Sequence, residues 1–529
     1  MISGPTLKKN QKVLPLIPYP QKINFLPGSF HWSANTSLFI NSFSDEIHRF
    51  LEAFPASIHP ILTTDEDQSH LIIKLDPSMS NEGYQLNIQT NQIQLIAAVN
   101  TGIFYGLQSL RQLILAEYQA EMQQITLPCL EIIDYPRFSW RGFMLDEARH
   151  FQGMQTVKDL LDWMAYLKLN IFHWHLTEDQ GWRIEIKQYP RLIEVGASRS
   201  ASQISGFLGK KLNDIPHAGF YTQAEIKEIV QYASERHIQI VPEIEMPGHS
   251  QAALAAYPAL GCTGGAYQVS PHWGIHSDIL CPGKPATTTF LQNVLTEVMD
   301  LFPGKSIHTG GDEAPKKRWR SCPDCQKLAK VSGAARITYL QTILANRISK
   351  FLRSHGRTLI GWNEMLAEGL DPEAEVQYWV GKEKTVRKHI RSGRKAILSN
   401  FSAYYLDHSY EHSPLDKVYQ YEPVFKQLEP EFHSNILGIE APLWTEFVPS
   451  RARLDWQIFP RLLAVAETAW LDPGKKDLTS FHQRLPTILK QLDDKNIGYA
   501  QILNANPPVS KRLLGPISLL QAGKGQKES

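Results

Sequence analysis

The sequence lacks three features that would place it in other classes of protein. It has no run of about 18 consecutive apolar residues, the length that a membrane-spanning helix requires. It has almost no net charge, with 54 basic and 53 acidic residues, which argues against nucleic acid or an anionic membrane as its partner. Its five cysteines in 529 residues are too few for a disulfide scaffold.

The N-terminus also lacks a convincing export signal. Lys8 and Lys9 are followed by a short apolar run, residues 13–18, that prolines interrupt. A cytoplasmic location is therefore the default expectation. Residues 1–20 are polar and rich in proline, and they are predicted to form an arm on the surface.

One cysteine pair has a spacing that could bind metal. Cys322-Pro-Asp-Cys325 is a lone CxxC motif, and no second pair lies nearby in the sequence. Zinc ribbons need two such pairs, so the motif indicates a local disulfide or two reduced thiols instead. No metal and no cofactor are expected.

The N-terminal quarter of the chain has the pattern of a small α+β domain, residues 21–135. Residues 70–75, 83–88 and 92–97 are strand candidates, and the last two flank Thr90-Asn91, which predicts a hairpin. Apolar residues at helical spacing follow over 103–114. The region has no cluster of acids or histidines, so its predicted role is structural.

From Pro136 onward an apolar strand and an amphipathic helix alternate. This alternation implies parallel strands joined by right-handed crossovers. Eight units predict a (β/α)8 TIM barrel over residues 136–505. A doubly wound sheet is the alternative, but no glycine-rich phosphate turn follows the first strand. Residues 506–529 are predicted to be a disordered tail. The strand candidates are residues 140–146, 170–176, 238–245, 306–312, 358–363, 375–379, 396–401 and 436–444.

Polar or aromatic residues lie at or just beyond the C-terminal end of all eight predicted strands. In a barrel these ends form the functional face. Tryptophans interspersed with acids, an arginine and histidines suit an uncharged ligand rich in hydroxyls, such as a sugar. A competing interpretation is a metal-dependent amidohydrolase, because His173 and His175 lie on one face of the second strand. Neither a bridging lysine nor a bridging carboxylate is evident for that alternative.

Five motifs resemble the family 20 glycoside hydrolases, the β-N-acetylhexosaminidases, and the resemblance covers about residues 14–500. Glu147 and Glu178 depart from it, because many members have Val and Asp there. The motifs are His308-x-Gly-Gly-Asp312-Glu313, Arg141-Gly-Phe-Met-Leu-Asp-Glu-Ala-Arg149-His-Phe, His173-Trp-His-Leu-Thr-Glu-Asp-Gln-Gly-Trp-Arg183, Pro242-Glu-Ile-Glu-Met-Pro-Gly-His249 and Leu443-Trp-Thr-Glu446.

The resemblance implies how the reaction would proceed. Glu313 would protonate the glycosidic oxygen, and Asp312 would stay ionised and bind the N–H of the substrate's 2-acetamido group. Adjacent residues have Cα atoms about 3.8 Å apart, so this pair is poorly placed to flank a sugar from opposite faces. In this family the acetamido oxygen is the nucleophile and gives an oxazolinium intermediate, with Tyr405 aiming it.

The resemblance also implies a substrate pocket. Trp362, Trp379 and Trp444 would enclose the acetamido methyl group and the sugar face, and Arg149, Asp407 and Glu446 would bind hydroxyl groups. Asp179, His249 and Glu245 would support them, with His249 in a relay to Glu313. The role of His308 is left open: it is either a neighbour of the ligand or a core histidine whose hydrogen bonds are satisfied within the protein.

The implied partner is an oligosaccharide with a terminal β-linked N-acetylhexosamine, cleaved by exo action. A sugar-binding protein without catalysis is a further alternative, which the intact Asp312, Glu313 and Tyr405 disfavour. Some relatives close a loop with a disulfide at the positions of Cys262 and Cys281. Such a bond would favour an exported protein.

Overall fold

A computed structural model describes residues 13–39, 43–206 and 209–512. The chain forms two compact units, one of Met1–Arg137 with Ala466–Gly498 and the other of Phe138–Val465 with the residues from Tyr499 onward. Across the described ranges, no helix is both long and apolar enough to cross a membrane.

In chain order, the strands of the first unit are β1 (Lys22–Ser33), β2 (Ser37–Phe39), β3 (Ile61–Thr63), β4 (Leu71–Leu75), β5 (Tyr84–Ile88), β6 (Ile93–Ala97) and β7 (Gln124–Asp134). They form a seven-stranded sheet in the order β1-β7-β5-β6-β4-β2-β3. The predicted hairpin is present as the antiparallel pair β5–β6. Helix α1 (Ser44–Leu51) and helix α2 (Asn100–Glu117) accompany the sheet, so the predicted α+β domain is confirmed.

The predicted N-terminal arm is packed into the first unit where it is described. Leu14, Leu16 and Ile17 are buried, and the Ile17 backbone exchanges two hydrogen bonds of 2.9 Å with the Gln112 side chain. The apolar residues between the prolines therefore form part of a core instead of lying on the surface. Residues 1–12 lie outside the described residues.

The helix Leu478–Asp494 belongs to the first unit, whereas the sequence prediction assigned all of residues 136–505 to the barrel. Arg484 explains its position. Its guanidinium forms a buried ion pair with Glu467 at 2.6 and 2.7 Å and donates to the backbone oxygen of Leu16 at 2.7 Å. A buried arginine needs such partners, and the N-terminal segment supplies one of them.

The second unit is a closed barrel of eight parallel strands, as predicted. The first strand pairs with both the second and the eighth, which closes the ring. In chain order the barrel strands are Trp140–Asp146, Ile171–His175, Gln239–Glu243, Ser306–His308, Thr358–Trp362, Glu375–Tyr378, Ala396–Leu398 and Ile436–Leu443.

Helices separate most of these strands, and apolar faces pack them onto the barrel. Thr222 caps the helix Gln223–Ser234 through a reciprocal capping box with Glu225. The other helices of the unit with eight or more residues are Met154–Tyr166, Pro285–Leu301, Pro323–Val331, Leu340–Ser354, Glu383–Arg391, Arg451–Ile458 and Arg461–Trp470, whose last five residues belong to the first unit.

The fourth strand is shorter than predicted and ends at His308 instead of residue 312. Gly310 and Gly311 have φ values of 61° and 98°, which no extended strand contains.

At the other end of the chain, the predicted tail begins within the described residues, where Val509–Arg512 forms a short helix. From residue 513 onward the tail lies outside them.

Candidate active site

The loop after the fourth barrel strand depends on two glycines to place Asp312 and Glu313. A side chain at Gly310 would collide with the carboxylate of Glu245, and one at Gly311 would collide with Met365. Glu313 itself has a φ of 42°, a left-handed backbone that is rare for residues with a side chain. The surrounding structure therefore holds the two acids in one defined position.

His249 contacts both of these carboxylates through one ring nitrogen. Its Nε2 lies 3.7 Å from Oδ2 of Asp312 and 3.8 Å from Oε2 of Glu313. Burial raises the pKa of Asp312 to about 7, although His249 opposes this shift. Burial also raises the pKa of Glu313, against the effects of His249 and Arg149. A raised pKa suits a carboxyl group that donates a proton near neutral pH.

The other ring nitrogen of His249 is held by acidic residues from the loop after the second strand. Its Nδ1 lies 2.6 Å from Oε1 of Glu178 and 3.5 Å from Oδ2 of Asp179. Burial favours the neutral ring, but Glu178 and Asp312 raise the pKa of His249 well above its ordinary value. The imidazolium form is therefore the stable one, and it lies between two pairs of acids.

Arg149 is held from three sides after the first strand. Its Nη2 lies 2.5 Å from Oε1 of Glu178, its Nη1 lies 3.3 Å from Oδ2 of Asp146, and its Nε donates to Gln180 at 3.2 Å. The Glu446 carboxylate is 3.9 Å away. An arginine fixed in this way presents its remaining N–H groups in one direction, which suits recognition of hydroxyl oxygens.

Aromatic rings from four strand ends form the walls of the site. Trp362 and Trp444 have ring centroids 5.9 Å apart, and Trp379 stacks on Tyr405 at 6.0 Å with an interplanar angle of 24°. Burial raises the pKa of Tyr405 well above its ordinary value, so its hydroxyl stays a proton donor. The Trp444 ring also faces the Arg149 guanidinium, 4.9 Å from its centroid.

Two further acids lie beyond the seventh and eighth strands. Burial raises the pKa of Asp407 to about 8, and the neighbouring Glu446 carboxylate adds to this shift. Oδ1 of Asp407 is buried without a hydrogen-bond partner. A buried polar atom without a partner costs stability, so a ligand hydroxyl at this point would satisfy it. The same holds for Oδ1 of Asp312.

A buried hydrogen-bond network lies beneath the pocket and is centred on Glu243. This carboxylate lies 3.0 Å from Nε2 of His173, 2.7 Å from Nδ1 of His175 and 2.7 Å from Nδ1 of His308. It also accepts a hydrogen bond of 2.9 Å from the Trp362 indole. The network therefore holds Trp362, one wall of the pocket, in place.

The His173-x-His175 pair is part of this network. His173 bridges Glu243 and Glu440, and these acids raise its pKa to about 10 despite its burial. His308 is fully buried against Glu243 and Trp362, which makes it a core histidine with its hydrogen bond satisfied by Glu243.

Comparison with known proteins decides the family. The model of the glycosyl hydrolase family 20 catalytic domain matches residues 138–473, and that of the family's domain 2 matches residues 13–135. The chain belongs to glycoside hydrolase family 20. The predicted resemblance is confirmed.

Family 20 relatives cover most of the chain. The chain is 41% identical to a beta-hexosaminidase of Porphyromonas gingivalis over 80% of its own length, and this match spans 55% of that longer relative. It is 34% identical to a beta-hexosaminidase of Vibrio furnissii, covering 86% of this chain and 76% of the relative.

Solved family 20 structures have the same fold. The exo beta-N-acetylglucosaminidase of Vibrio harveyi, in complex with N-acetylglucosamine, superposes with a TM-score of 0.83 at 30% identity, covering 95% of this chain and 81% of that one. The Streptomyces plicatus N-acetyl-beta-hexosaminidase in complex with Thio-NAglucal gives 0.80 at 29% identity, covering 92% and 96%.

The structure adds three acids to the predicted family 20 site. Glu178 contacts both Arg149 and His249, Glu243 fixes Trp362, and Glu364 accepts a hydrogen bond of 2.8 Å from the Trp379 indole. Glu178 and Glu243 lie within the quoted motifs, and Glu364 follows Trp362 by two residues at the end of the fifth strand. Their roles depend on distances that sequence spacing does not give.

Proposed function

We propose that this chain is an exo-acting, retaining β-N-acetylhexosaminidase that removes terminal non-reducing N-acetylglucosamine or N-acetylgalactosamine by substrate-assisted catalysis. One observation carries the proposal. Asp312 and Glu313 are adjacent and both contact His249, at the end of the barrel where Trp362, Trp379, Tyr405 and Trp444 stand at the ends of four other strands. Family membership and the names of the relatives are consistent with it.

In this mechanism Glu313 is the general acid. It transfers its proton to the glycosidic oxygen as the bond to the anomeric carbon breaks. Its raised pKa keeps the proton available, while His249⁺ stabilises the carboxylate that remains after transfer. In the second step the same carboxylate takes a proton from the water that opens the intermediate. Glu313 thus alternates between acid and base.

The acetamido oxygen of the substrate attacks the anomeric carbon and forms an oxazolinium ion. Asp312 accepts the acetamido N–H and stabilises the positive charge that develops there. The hydroxyl of Tyr405 donates a hydrogen bond to the acetamido oxygen, and Trp362 and Trp444 confine the methyl group. Positioning and charge stabilisation of this kind account for much of enzymatic rate enhancement.

The rest of the sugar is bound by charged groups around the rim. Arg149, Asp407 and Glu446 hydrogen-bond the hydroxyl groups of the terminal sugar, and Trp379 covers its face. The side chains of Arg149, Glu446 and Asp407 are only 10%, 15% and 23% exposed, and charged groups this well enclosed favour a terminal sugar over one that continues beyond the non-reducing end. Exo action follows from this enclosure.

The direct test is hydrolysis of a para-nitrophenyl β-N-acetylglucosaminide, with competition by a thiazoline analogue of the oxazoline intermediate. We expect cleavage, strong competitive inhibition and release of the β-anomer first, observed by proton NMR. The corresponding β-glucoside, which has no acetamido group, is the matched control and should not be cleaved. Comparable cleavage of both substrates would refute the substrate-assisted mechanism.

Successive fluorination of the acetamido methyl group provides a quantitative prediction. Each fluorine withdraws electrons from the acetamido oxygen and weakens it as a nucleophile, so kcat/KM should fall steadily from the acetyl to the trifluoroacetyl substrate. We expect a fall of about 10²-fold or more across the series, which corresponds to an increase of about 3 kcal/mol in the activation free energy. A flat series would indicate an enzyme nucleophile instead.

Replacing Glu178 by glutamine should narrow the pH range of activity. The Glu178 carboxylate raises the pKa of Glu313, so its loss lowers that pKa. Glu313 is active when protonated, and activity is lost as pH rises through its pKa. The alkaline limb of kcat/KM should therefore move to lower pH. Asp312 and Asp179 still raise the pKa of His249 in this variant.

The variant Glu178→Asp is the matched control, because it keeps the charge and shortens the side chain. It should keep the position of the alkaline limb but raise KM, since the shorter side chain reaches Arg149 less well. Glu178→Gln should lower kcat/KM by about 10–100-fold, because it removes one or two charge-assisted hydrogen bonds. Unchanged limbs and unchanged KM in both variants would contradict this role.

A further inference from the structure

Four of the five cysteines meet at one point outside the proposed active site. Cys281 Sγ lies 3.7 Å from Sγ of Cys322 and 3.5 Å from Sγ of Cys325, and Cys262 Sγ lies 3.8 Å from Sγ of Cys325. All four sulfur atoms lie within 4.8 Å of one another. All are free thiols, so the pairing of Cys262 with Cys281 known from some relatives is not formed.

These spacings fit a tetrahedral metal site. Zinc binds thiolate sulfur at about 2.3 Å, and a regular tetrahedron of that radius has sulfur atoms about 3.8 Å apart. The three sulfur separations of 3.5 to 3.8 Å have this size. A disulfide would need about 2.05 Å between two sulfur atoms, and it would leave the other two thiols without an equivalent role.

The surroundings of the cluster also suit a structural metal. The Gly283 amide donates a hydrogen bond to Sγ of Cys281, two residues earlier, which stabilises a thiolate. A side chain at Gly283 would collide with the backbone of Asp324 and Cys325, so the two cysteine-bearing segments approach each other closely. Apolar side chains, including Trp319 and Ile279, enclose the group.

We propose that Cys262, Cys281, Cys322 and Cys325 bind one structural Zn²⁺ ion. Zinc is the divalent ion whose preference for four thiolates in a closed tetrahedral site matches this set. The single CxxC motif of the sequence thus obtains its second pair from residues about 40 to 60 positions earlier, which the barrel brings to the same place. The metal takes no part in glycoside cleavage.

The site joins two loops that border the proposed active site. Cys262 and Cys281 lie in the loop after the third barrel strand, and Cys322 and Cys325 lie after the fourth. The same loops contribute Ile275 and Lys316 to a cleft of about 560 Å³ that also contains Glu313. Bound zinc therefore fixes the two segments that form one side of this cleft.

The first experiment measures metal in the wild-type chain purified without added metal or chelator. Elemental analysis should find one zinc per chain. The variant Cys322→Ser with Cys325→Ser should contain essentially none, whereas Cys129→Ala should keep one. Cys129 is the matched control because it is the buried cysteine outside the cluster. Zinc content is independent of hydrolytic activity, so this result and the proposed function can fail separately.

The second experiment identifies the ligands in the wild-type chain, so its result is independent of how well any variant folds. X-ray absorption of the wild-type zinc protein should give four sulfur neighbours at about 2.3 Å. Replacement by Co²⁺ should give the thiolate charge-transfer and visible bands of a tetrahedral cobalt site. Two results would overturn the proposal. One is a purified, reduced chain that contains no stoichiometric zinc and does not bind added Zn²⁺. The other is an absorption spectrum of the zinc protein in which nitrogen or oxygen neighbours dominate.

Discussion

Glu313→Gln should lower kcat/KM by about 10²–10⁴-fold for an oligosaccharide, and by far less for a dinitrophenyl glycoside. An alkoxide leaving group needs a proton as the glycosidic bond breaks, whereas dinitrophenolate leaves without one. Glutamine keeps the size of the side chain and removes only the transferable proton. In steady-state kinetics on a series of aryl glycosides, kcat/KM of the variant should therefore depend more steeply on the leaving-group pKa than kcat/KM of the wild-type enzyme does.

The matched control is Glu368→Gln, an exposed glutamate in the loop after the fifth barrel strand. It should leave the kinetics of both substrate classes unchanged. Equal losses for good and poor leaving groups in Glu313→Gln would contradict the role of general acid. In that case Glu313 would act by positioning or charge, and the leaving-group dependence of the variant would match that of the wild-type enzyme.

The sequence pattern predicts the barrel well because its strands carry strong and repeated signals. Residues 140–146 were predicted and form the first barrel strand, and all seven residues are buried. Strand β1 was missed because eight of its twelve residues from Lys22 are exposed or half-buried before the buried positions begin. Its pairing with β7 is also interrupted by a bulge between Phe25 and Ser29, which breaks the alternation that indicates a strand.

The sequence predicts which residues meet in the site, but not which of them contact each other. Glu178 is an apparent departure from the family pattern, yet it is the acid closest to both Arg149 and His249. Its side chain has one methylene more than the Asp of many relatives. Whether the longer side chain contacts Arg149 and His249 depends on the fold, which sequence spacing does not give. The sequence signals only one half of the cysteine cluster, the CxxC motif of Cys322 and Cys325, because the fold brings Cys262 and Cys281 to it from a distant segment.

Asp312→Asn should lower kcat/KM by about 10²–10³-fold, the cost of losing one preorganised charge-stabilising group. Asparagine occupies the same space, but its amide has no negative charge to stabilise the oxazolinium ion. Unlike Glu313→Gln, this variant should lose similar factors for good and poor leaving groups, since the lost interaction lies at the acetamido group. It should also bind the thiazoline analogue more weakly. Steady-state kinetics and inhibition constants test both expectations.

The pH profile separates Asp312 from Glu313, because the two acids must be in opposite states. Burial raises the pKa of Asp312 to about 7, and its active form is ionised, so kcat/KM of the free enzyme should fall as pH falls through about 7. Glu313 is active when protonated, so it produces the opposite, alkaline limb. In Asp312→Asn no carboxylate remains to be protonated at this position, and the acidic limb should disappear while the alkaline limb stays. An acidic limb that persists unchanged in the variant would show that another group titrates there, and the raised pKa of Asp312 would have no part in catalysis.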